Sequence, residues 1–321
     1  MVLYLYFIMK LSLRFFCQYN QKTRFCFMRR CCIFLFLTPF VFCICTVVSF
    51  ADNNEKLAQN KSYKTKIAAH RGGKALFPES TLYAYQQTVS RWSNCLLEGD
   101  IQITADNIAI LMHDTTVDRT TNGQGPVKEK TLKEIKELDA GYKFSTDGGQ
   151  TFPFRGKGIT VPTLDEVLEA FPKHTFLFEI KPFTENLSPI VEPIIRRNMQ
   201  DRVYLASVHP QVIEKIRKEY PQIKTCFTVS DAIDFLSALR SENWSNYQPP
   251  AQMLAINEKM EDSFNITTEE MKKIKEKGIQ IIVFTVNKPE DIKKYIYSEV
   301  DWILSDYPDR IAQLESEYIK N

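Results

Sequence analysis

The chain has 321 residues, enough for one large domain or two small ones, and its 44% hydrophobic and 25% charged residues form an ordinary globular balance. Net charge is +2, but six basic residues (Lys10, Arg14, Lys22, Arg24, Arg29, Arg30) and no acid precede Asp52; 41 less those 6 leaves 35 basic against 39 acidic residues, a body of −4. A mildly acidic body argues against a nucleic-acid partner.

The first fifty residues read as an address. Residues 31–48 (CCIFLFLTPFVFCICTVV) carry no charge and follow Arg29-Arg30, and Ser49-Phe50-Ala51 places small residues at the −3 and −1 positions of a cleavage site. A basic stretch, an apolar run and a small-x-small site are the parts of a secretory signal. Translation from Met28 would give a compact signal peptide. The alternative is a retained anchor, since about 20 apolar residues span a bilayer. Either reading sends the protein out of the cytosol, to the periplasm or beyond, or leaves it anchored through 31–48. Residues 52–65 are polar and read as a linker. Six of the eight cysteines also lie in this leader; Cys95 and Cys226 remain, and both read as small buried hydrophobes rather than as one disulfide.

From Lys66 onward, apolar β-prone runs alternate with amphipathic stretches. The predicted strands are 66–71, 95–103, 175–181, 202–208, 224–229, 251–256, 279–286 and 301–305. Helical patterns fill the gaps at 80–91, 187–198, 210–219, 231–242, 267–277, 289–298 and 308–319, with Ser80 as a cap for the first. Strands this apolar, separated by helices, belong to a parallel sheet covered on both faces. Eight such units over residues 66–321 fit an α/β protein of the (β/α)8 TIM-barrel class. The alternative, an open doubly wound sheet, lacks a Gly-rich dinucleotide turn after its first strand.

One run breaks the count. Residues 108–113 (IAILMH) follow the second strand after only Thr104–Asn107, too short for a parallel crossover, so they must fold back as a hairpin. With the turn centred on Asp106, residues whose numbers sum to roughly 211–213 face each other, and His113 lies level with Glu98 and Asp100. A long insertion then fills 114–174, with helices at 131–138 and 163–170.

Active sites of barrels form at the C-terminal strand ends. The first strand ends in His70-Arg71-Gly72-Gly73, the second carries Glu98 and Asp100, and the third ends in Glu179 and Lys181. Each i, i+2 pair shares one face. Three carboxylates from two neighbouring strands cannot all stay ionised without compensation. A hard divalent cation, Mg²⁺ or Ca²⁺, supplies it, and the lack of Cys ligands argues against structural zinc. The plainer alternative is a set of solvated strand-end acids. His70 and His113 can divide general-base and general-acid work, and Arg71 and Lys181 bring fixed positive charge suited to phosphate oxygens. His174 and His209 read as structural.

These segments resemble a known family. HRG at 70–72 followed by Pro78-Glu79-Ser80-Thr81, then LEGDIQITADNIAILMHD (97–114), DRTTNGQGPV (118–127), FEIKP (178–182), VFTVN (283–287) and SDYP (305–308), are similar in type and order to the motifs of the glycerophosphodiester phosphodiesterases. The resemblance runs from about 66 to 308. It implies a (β/α)8 barrel, His70 and His113 as the acid–base pair, Glu98, Asp100 and Glu179 as metal ligands, and Arg71 and Lys181 on the phosphate. Asn107 replaces the usual hairpin Gly, Ser80 an Asn, and Phe284 a Trp at the lip. The implied reaction is metal-dependent hydrolysis of a small-molecule glycerophosphodiester to glycerol 3-phosphate and an alcohol. The alternatives are a phospholipase D-like barrel working on membrane lipids and a catalytically silent surface-binding barrel.

Overall fold

The computed structural model describes residues 66–260 and 266–320. The expected leader or anchor and the linker at 52–65 lie outside the described residues. Among the described residues nine strands are formed: β1 (Lys66–Ala69), β2 (Leu96–Ile103), β3 (Ala109–Leu111), β4 (Thr175–Ile180), β5 (Val203–Ser207), β6 (Lys224–Thr225), β7 (Met253–Asn257), β8 (Gln280–Phe284) and β9 (Trp302–Ser305). The helices are α1 (Leu82–Arg91), α2 (Leu132–Lys136), α3 (Leu164–Ala170), α4 (Ser188–Arg196), α5 (Pro210–Glu219), α6 (Val229–Leu239), α7 (Thr268–Glu276), α8 (Pro289–Ile296) and α9 (Pro308–Lys320).

Eight strands pair in the order β6-β5-β4-β2-β1-β9-β8-β7, all in parallel. A parallel bridge between Cys226 and Met253 joins the two ends, reinforced by Phe227 N–H donating to Met253 O at 2.9 Å. The result is the expected (β/α)8 barrel. Its helices lie outside for the usual reason. In α5, Pro210 opens the first turn, where its missing N–H costs nothing, and Val212, Ile213 and Ile216 make one apolar stripe buried against the strands.

Strand alternation divides the apolar residues into two sets. Ala68, Leu96, Leu177, Tyr204, Met253, Ile282 and Trp302 fill the barrel interior, whereas Leu97, Phe176, Phe178, Leu205, Ile281 and Ile303 pack outward under the helices. Cys226 belongs to the interior set and Cys95 to the outer one; both are buried free thiols, and desolvation pushes each up to about 12.

The hairpin forms as its sequence requires. β3 runs antiparallel to β2 with Ile101 facing Leu111 and Ile103 facing Ala109. Asn107 takes the left-handed conformation, φ 59°, that asparagine tolerates in place of glycine. The insertion after it builds a small core of its own around Ile110, Met112, Val117, Val127, Ile135 and Val161.

Several boundaries differ from expectation. β1 stops at Ala69, because His70–Gly72 coils into a 3₁₀ turn with Arg71 at φ 51°. β6 keeps only two residues: Thr228 caps α6, its hydroxyl accepting from Asp231 N while Asp231 accepts from Thr228 N, and this starts the helix two residues early. Thr81, not Ser80, caps α1 through Ala84 N at 3.1 Å.

Candidate active site

The interior face of the barrel changes chemistry toward its C-terminal end. On β2 the inward positions run Leu96, Glu98, Asp100; on β4 and just beyond they run Leu177, Glu179, Lys181. Asp100 and Glu179 are register partners, so their side chains emerge next to each other. Ala69 pairs with Leu97 on one side and Ser305 on the other, so the following residues, His70, Glu98 and Asp306, meet at the same level.

The 3₁₀ turn after β1 aims backbone and side chain at these acids. Arg71 N–H donates to Glu98 Oε2 at 2.9 Å, and His70 Nε2 lies 3.9 Å from the same oxygen. The Arg71 guanidinium is buried between Glu79 (3.1 Å) and Asp100 (3.1 Å). A side chain at Gly72 would press on Ala84 and Tyr85 at 3.0 Å, and its φ of 77° is left-handed, so the turn needs glycine there. On the far side, the Lys181 ammonium bridges Asp100 at 2.9 Å and Glu179 at 2.7 Å.

His70 is fixed by a residue at the opposite end of the sequence. Its Nδ1 lies 2.5 Å from Asp306 Oδ1. Asp306 is held in turn by Asn287 Nδ2 (2.9 Å) and Lys74 Nζ (3.3 Å), while Asn287 Oδ1 accepts from Asp306 N and from Ser305 Oγ. Burial pushes the Asp306 carboxyl up, but the bond to His70 and the charge of Lys74 outweigh it and leave the group below its ordinary value. It is therefore an acceptor, His70 carries its proton on Nδ1, and Nε2 faces the site with a lone pair. Burial lowers the pKa of His70, only partly opposed by Asp306, so the ring is neutral at neutral pH.

His113 follows β3, where Met112 N–H donates to Asp100 O at 2.9 Å and Gln102 Nε2 donates to His113 O at 3.2 Å. Its Nδ1 lies 2.7 Å from Asp114 Oδ1. The expected level of His113 beside the Glu98–Asp100 pair is thus met through the backbone, and all seven residues singled out in the sequence collect at one mouth of the barrel. His209 caps α5 at the same rim, edge-on to the exposed Phe183. His174 sits before β4, at the opposite end.

Glu98 is the least comfortable charge. Fully buried beside Asp100, its carboxyl is raised well above the ordinary range, desolvation acting first and the Asp100 charge second. Asp100 Oδ2 is buried and makes no hydrogen bond, despite its 3.1 Å approach to Arg71 Nε. Among the described residues no three acid, imidazole or thiol groups close on one point, and the Lys181 ammonium stands between Asp100 and Glu179. The donors nonetheless suit a hard cation. They are three carboxylates without a thiolate, one has an unused buried oxygen, and one has an ionisation that a neighbouring positive charge would favour.

Four participants were not singled out beforehand: Asp306, Asp114, Glu79 and Arg119, whose guanidinium bonds both Asp114 and Glu79. Each lies inside a quoted motif (SDYP, the MHD end of 97–114, PEST, DRTTNG), yet its role depends on partners that the motif does not name.

The sequence profile of the glycerophosphoryl diester phosphodiesterase family matches residues 70–310. A glycerophosphodiester phosphodiesterase of Caldanaerobacter subterraneus subsp. tengcongensis is 33% identical over 259 residues, covering 78% of this chain and 98% of that protein. Among solved structures, a glycerophosphodiester phosphodiesterase from Agrobacterium tumefaciens superposes with a TM-score of 0.62 at 24% identity, over 78% of this chain and 99% of its own. An Oleispira antarctica phosphodiesterase, solved in complex with the product sn-glycerol-3-phosphate, gives 0.60 at 26% identity, over 78% and 96%.

Proposed function

The chain belongs to the glycerophosphoryl diester phosphodiesterase family, and from that premise we infer that the mouth described above cleaves a small glycerophosphodiester to glycerol 3-phosphate and an alcohol. It is a phosphoric diester hydrolase. The observation that carries the reading of the site is the convergence of two imidazoles, each held at Nδ1 by an aspartate, three strand-end acids and two basic side chains on one end of the barrel.

His70 is assigned as general base. It is neutral, its Nδ1–H is tied to Asp306, and its Nε2 is free to take a proton from the nucleophile, either water or the substrate's own glycerol 2-hydroxyl. His113 is assigned as general acid, returning a proton to the alkoxide as its P–O bond breaks. Asp114 holds the ring through Nδ1 and so leaves Nε2 as the nitrogen that delivers the proton. Arg71 and Lys181 hold the phosphate's negative charge in place.

Glu98, Asp100 and Glu179 would hold Mg²⁺ or Ca²⁺. The ion, when bound, supplies neutralisation of charge on the phosphoryl oxygens. It would compete with the Lys181 ammonium for the same two carboxylates, and its double charge would favour ionisation of Glu98.

From the basic stretch, apolar run and small-x-small site of the first 51 residues we further propose an exported barrel at 66–321 behind a cleaved or retained leader. N-terminal sequencing of the protein from a fractionated host distinguishes cleavage after Ala51 from retention. The reaction itself is tested by presenting a panel of glycerophosphodiesters with and without chelator and measuring glycerol 3-phosphate. Chelator-sensitive release supports the reading. No release from any member of the panel in the presence of Mg²⁺ or Ca²⁺ rejects it.

A further inference from the structure

Arg119 lies in the insertion, outside the set of acids and imidazoles assigned to the reaction. Its guanidinium nevertheless uses all three nitrogens on two carboxylates. Nε donates to Asp114 Oδ2 at 2.6 Å and NH2 to Asp114 Oδ1 at 3.3 Å, while NH1 and NH2 donate to Glu79 Oε2 and Oε1 at 2.7 and 2.8 Å. Paired bonds of this kind fix orientation as well as charge, and only a planar fork can make both sets at once.

Each carboxylate leads to a different half of the active site. Asp114 Oδ1 meets His113 Nδ1 at 2.7 Å. Glu79 Oε1 accepts from Arg71 NH1 at 3.1 Å, and Arg71 in turn touches Asp100 and donates its backbone N–H to Glu98. A continuous chain of charges therefore runs His113–Asp114–Arg119–Glu79–Arg71–Asp100, and Arg119 is the link between the loop after β1 and the arm after β3. The backbone of His113 is tied to β2, and the Arg119 clamp adds a side-chain tie between its ring and the loop after β1.

The clamp is not what folds its loop. Thr115 O accepts from Val127 N at 2.9 Å, and Gly125 O from Val117 N at 3.0 Å. Thr121 Oγ1 donates to Val117 O, and Asp118 accepts from Gly125 N. Val117 and Val127 are buried in the insertion core. Arg119 itself is half exposed. Its removal leaves these ties intact.

We propose that Arg119 is a positioning residue for the hydrolysis: by pinning Asp114 and Glu79 together it keeps Nδ1–H of His113 on Asp114 and leaves Nε2, the nitrogen that must take up and deliver the proton for the leaving alkoxide, turned to the substrate, in fixed relation to Arg71 and Asp100. The proposal rests on the assignment of His113 as acid, but part of its test does not need turnover.

The experiment compares the wild type with Arg119→Ala, Arg119→Lys and Glu79→Gln. ¹⁵N-histidine NMR gives the His113 ring state, the peak being identified by its loss in His113→Gln, and steady-state kinetics use whichever glycerophosphodiester the wild type hydrolyses. In the wild type His113 shows a single Nδ1–H form. Arg119→Ala is expected to show a tautomer mixture and a kcat lower by about 10- to 100-fold, with KM changed less than threefold. Arg119→Lys, which can serve one carboxylate but not both, is expected to recover part of kcat. An unchanged His113 tautomer in folded Arg119→Ala overturns the proposal, as does a kcat within twofold of wild type. A wild type inactive on every diester would sink the functional reading, and the tautomer result would still decide this one.

Discussion

Asp306 and His70 stand side by side because β1 and β9 are in register: Ala69 faces Ser305, and one residue further Oδ1 of Asp306 comes within 2.5 Å of Nδ1 of His70. The two residues are 236 positions apart, and closure of the barrel brings them together. Burial makes the imidazole neutral, and the pairing gives it a defined free nitrogen.

Asp306→Asn tests that pairing through pH. The Asp306 carboxylate favours the charged ring, so its loss lowers the His70 pKa further below the ordinary histidine value. A base works when neutral, so the acid limb of the kcat/KM profile should move to lower pH. Turnover at the plateau should fall roughly tenfold or more, because the amide no longer selects the tautomer. A limb that moves to higher pH contradicts the assignment of His70 as base.

Glu98 links metal affinity to pH. Its carboxyl is raised by burial and by Asp100, and a bound cation would ionise it. Cation binding near neutral pH should release a proton, and affinity should rise with pH. Calorimetry in two buffers of different ionisation enthalpy measures the release; identical heats would argue that Glu98 already carries its charge. Glu98→Gln should fold at least as stably as the wild type, since it replaces a buried carboxyl whose ionisation the site disfavours, and should lose about 100-fold or more in activity.

Gly99 separates the two acids of β2. A Cβ there would lie 2.5 Å from the hydroxyl of Tyr85, which donates to Glu98 O at 3.0 Å from a fully buried ring. Gly99→Ala should cost about 1–3 kcal/mol by overpacking, read from chemical denaturation. Pairing it with Tyr85→Phe, which removes the opposing oxygen, should restore part of that loss. No recovery in the double variant would place the strain elsewhere.

Acid stability follows from two depressed carboxyls. Burial pushes Asp114 up, but the bonds from Arg119 and His113 prevail and bring it to about 2; Asp165 is brought to about 2 by the bonds and charges of Arg197 and Arg196. Both are depressed in the folded state, so their contribution is complete above the ordinary Asp range near ~4 and is lost as pH falls toward about 2. Thermal scans should show Tm falling through that window, less steeply in Asp165→Asn. An equal slope in the variant would remove Asp165 from the account.

The barrel was readable because its interior alternation is written into each strand: Leu96-x-Glu98-x-Asp100 and Leu177-x-Glu179-x-Lys181 show both the buried face and the point where it turns polar. The hairpin register was readable from a short link between two apolar runs. What could not be read depends on partners far along the chain. Asp306 needs the β1–β9 pairing, and Glu79 needs Arg119, 40 residues away. The sharing of the Lys181 ammonium between Asp100 and Glu179 is likewise a consequence of strand register that neither local segment carries. Local competition explains the shifted boundaries. Thr81 outcompeted Ser80 as a cap because Ser80 sits at φ 55°, outside the extended conformation a cap requires.

The division of labour between the two imidazoles is tested most directly by single-turnover release of glycerol 3-phosphate from glycerophosphodiester, with Mg²⁺ or Ca²⁺ present, by the wild type, His70→Ala and His113→Ala. Each variant should keep the far-UV circular dichroism of the barrel and lose at least ~100-fold in rate. A folded variant of either histidine that turns over at close to the wild-type rate would contradict the assignment.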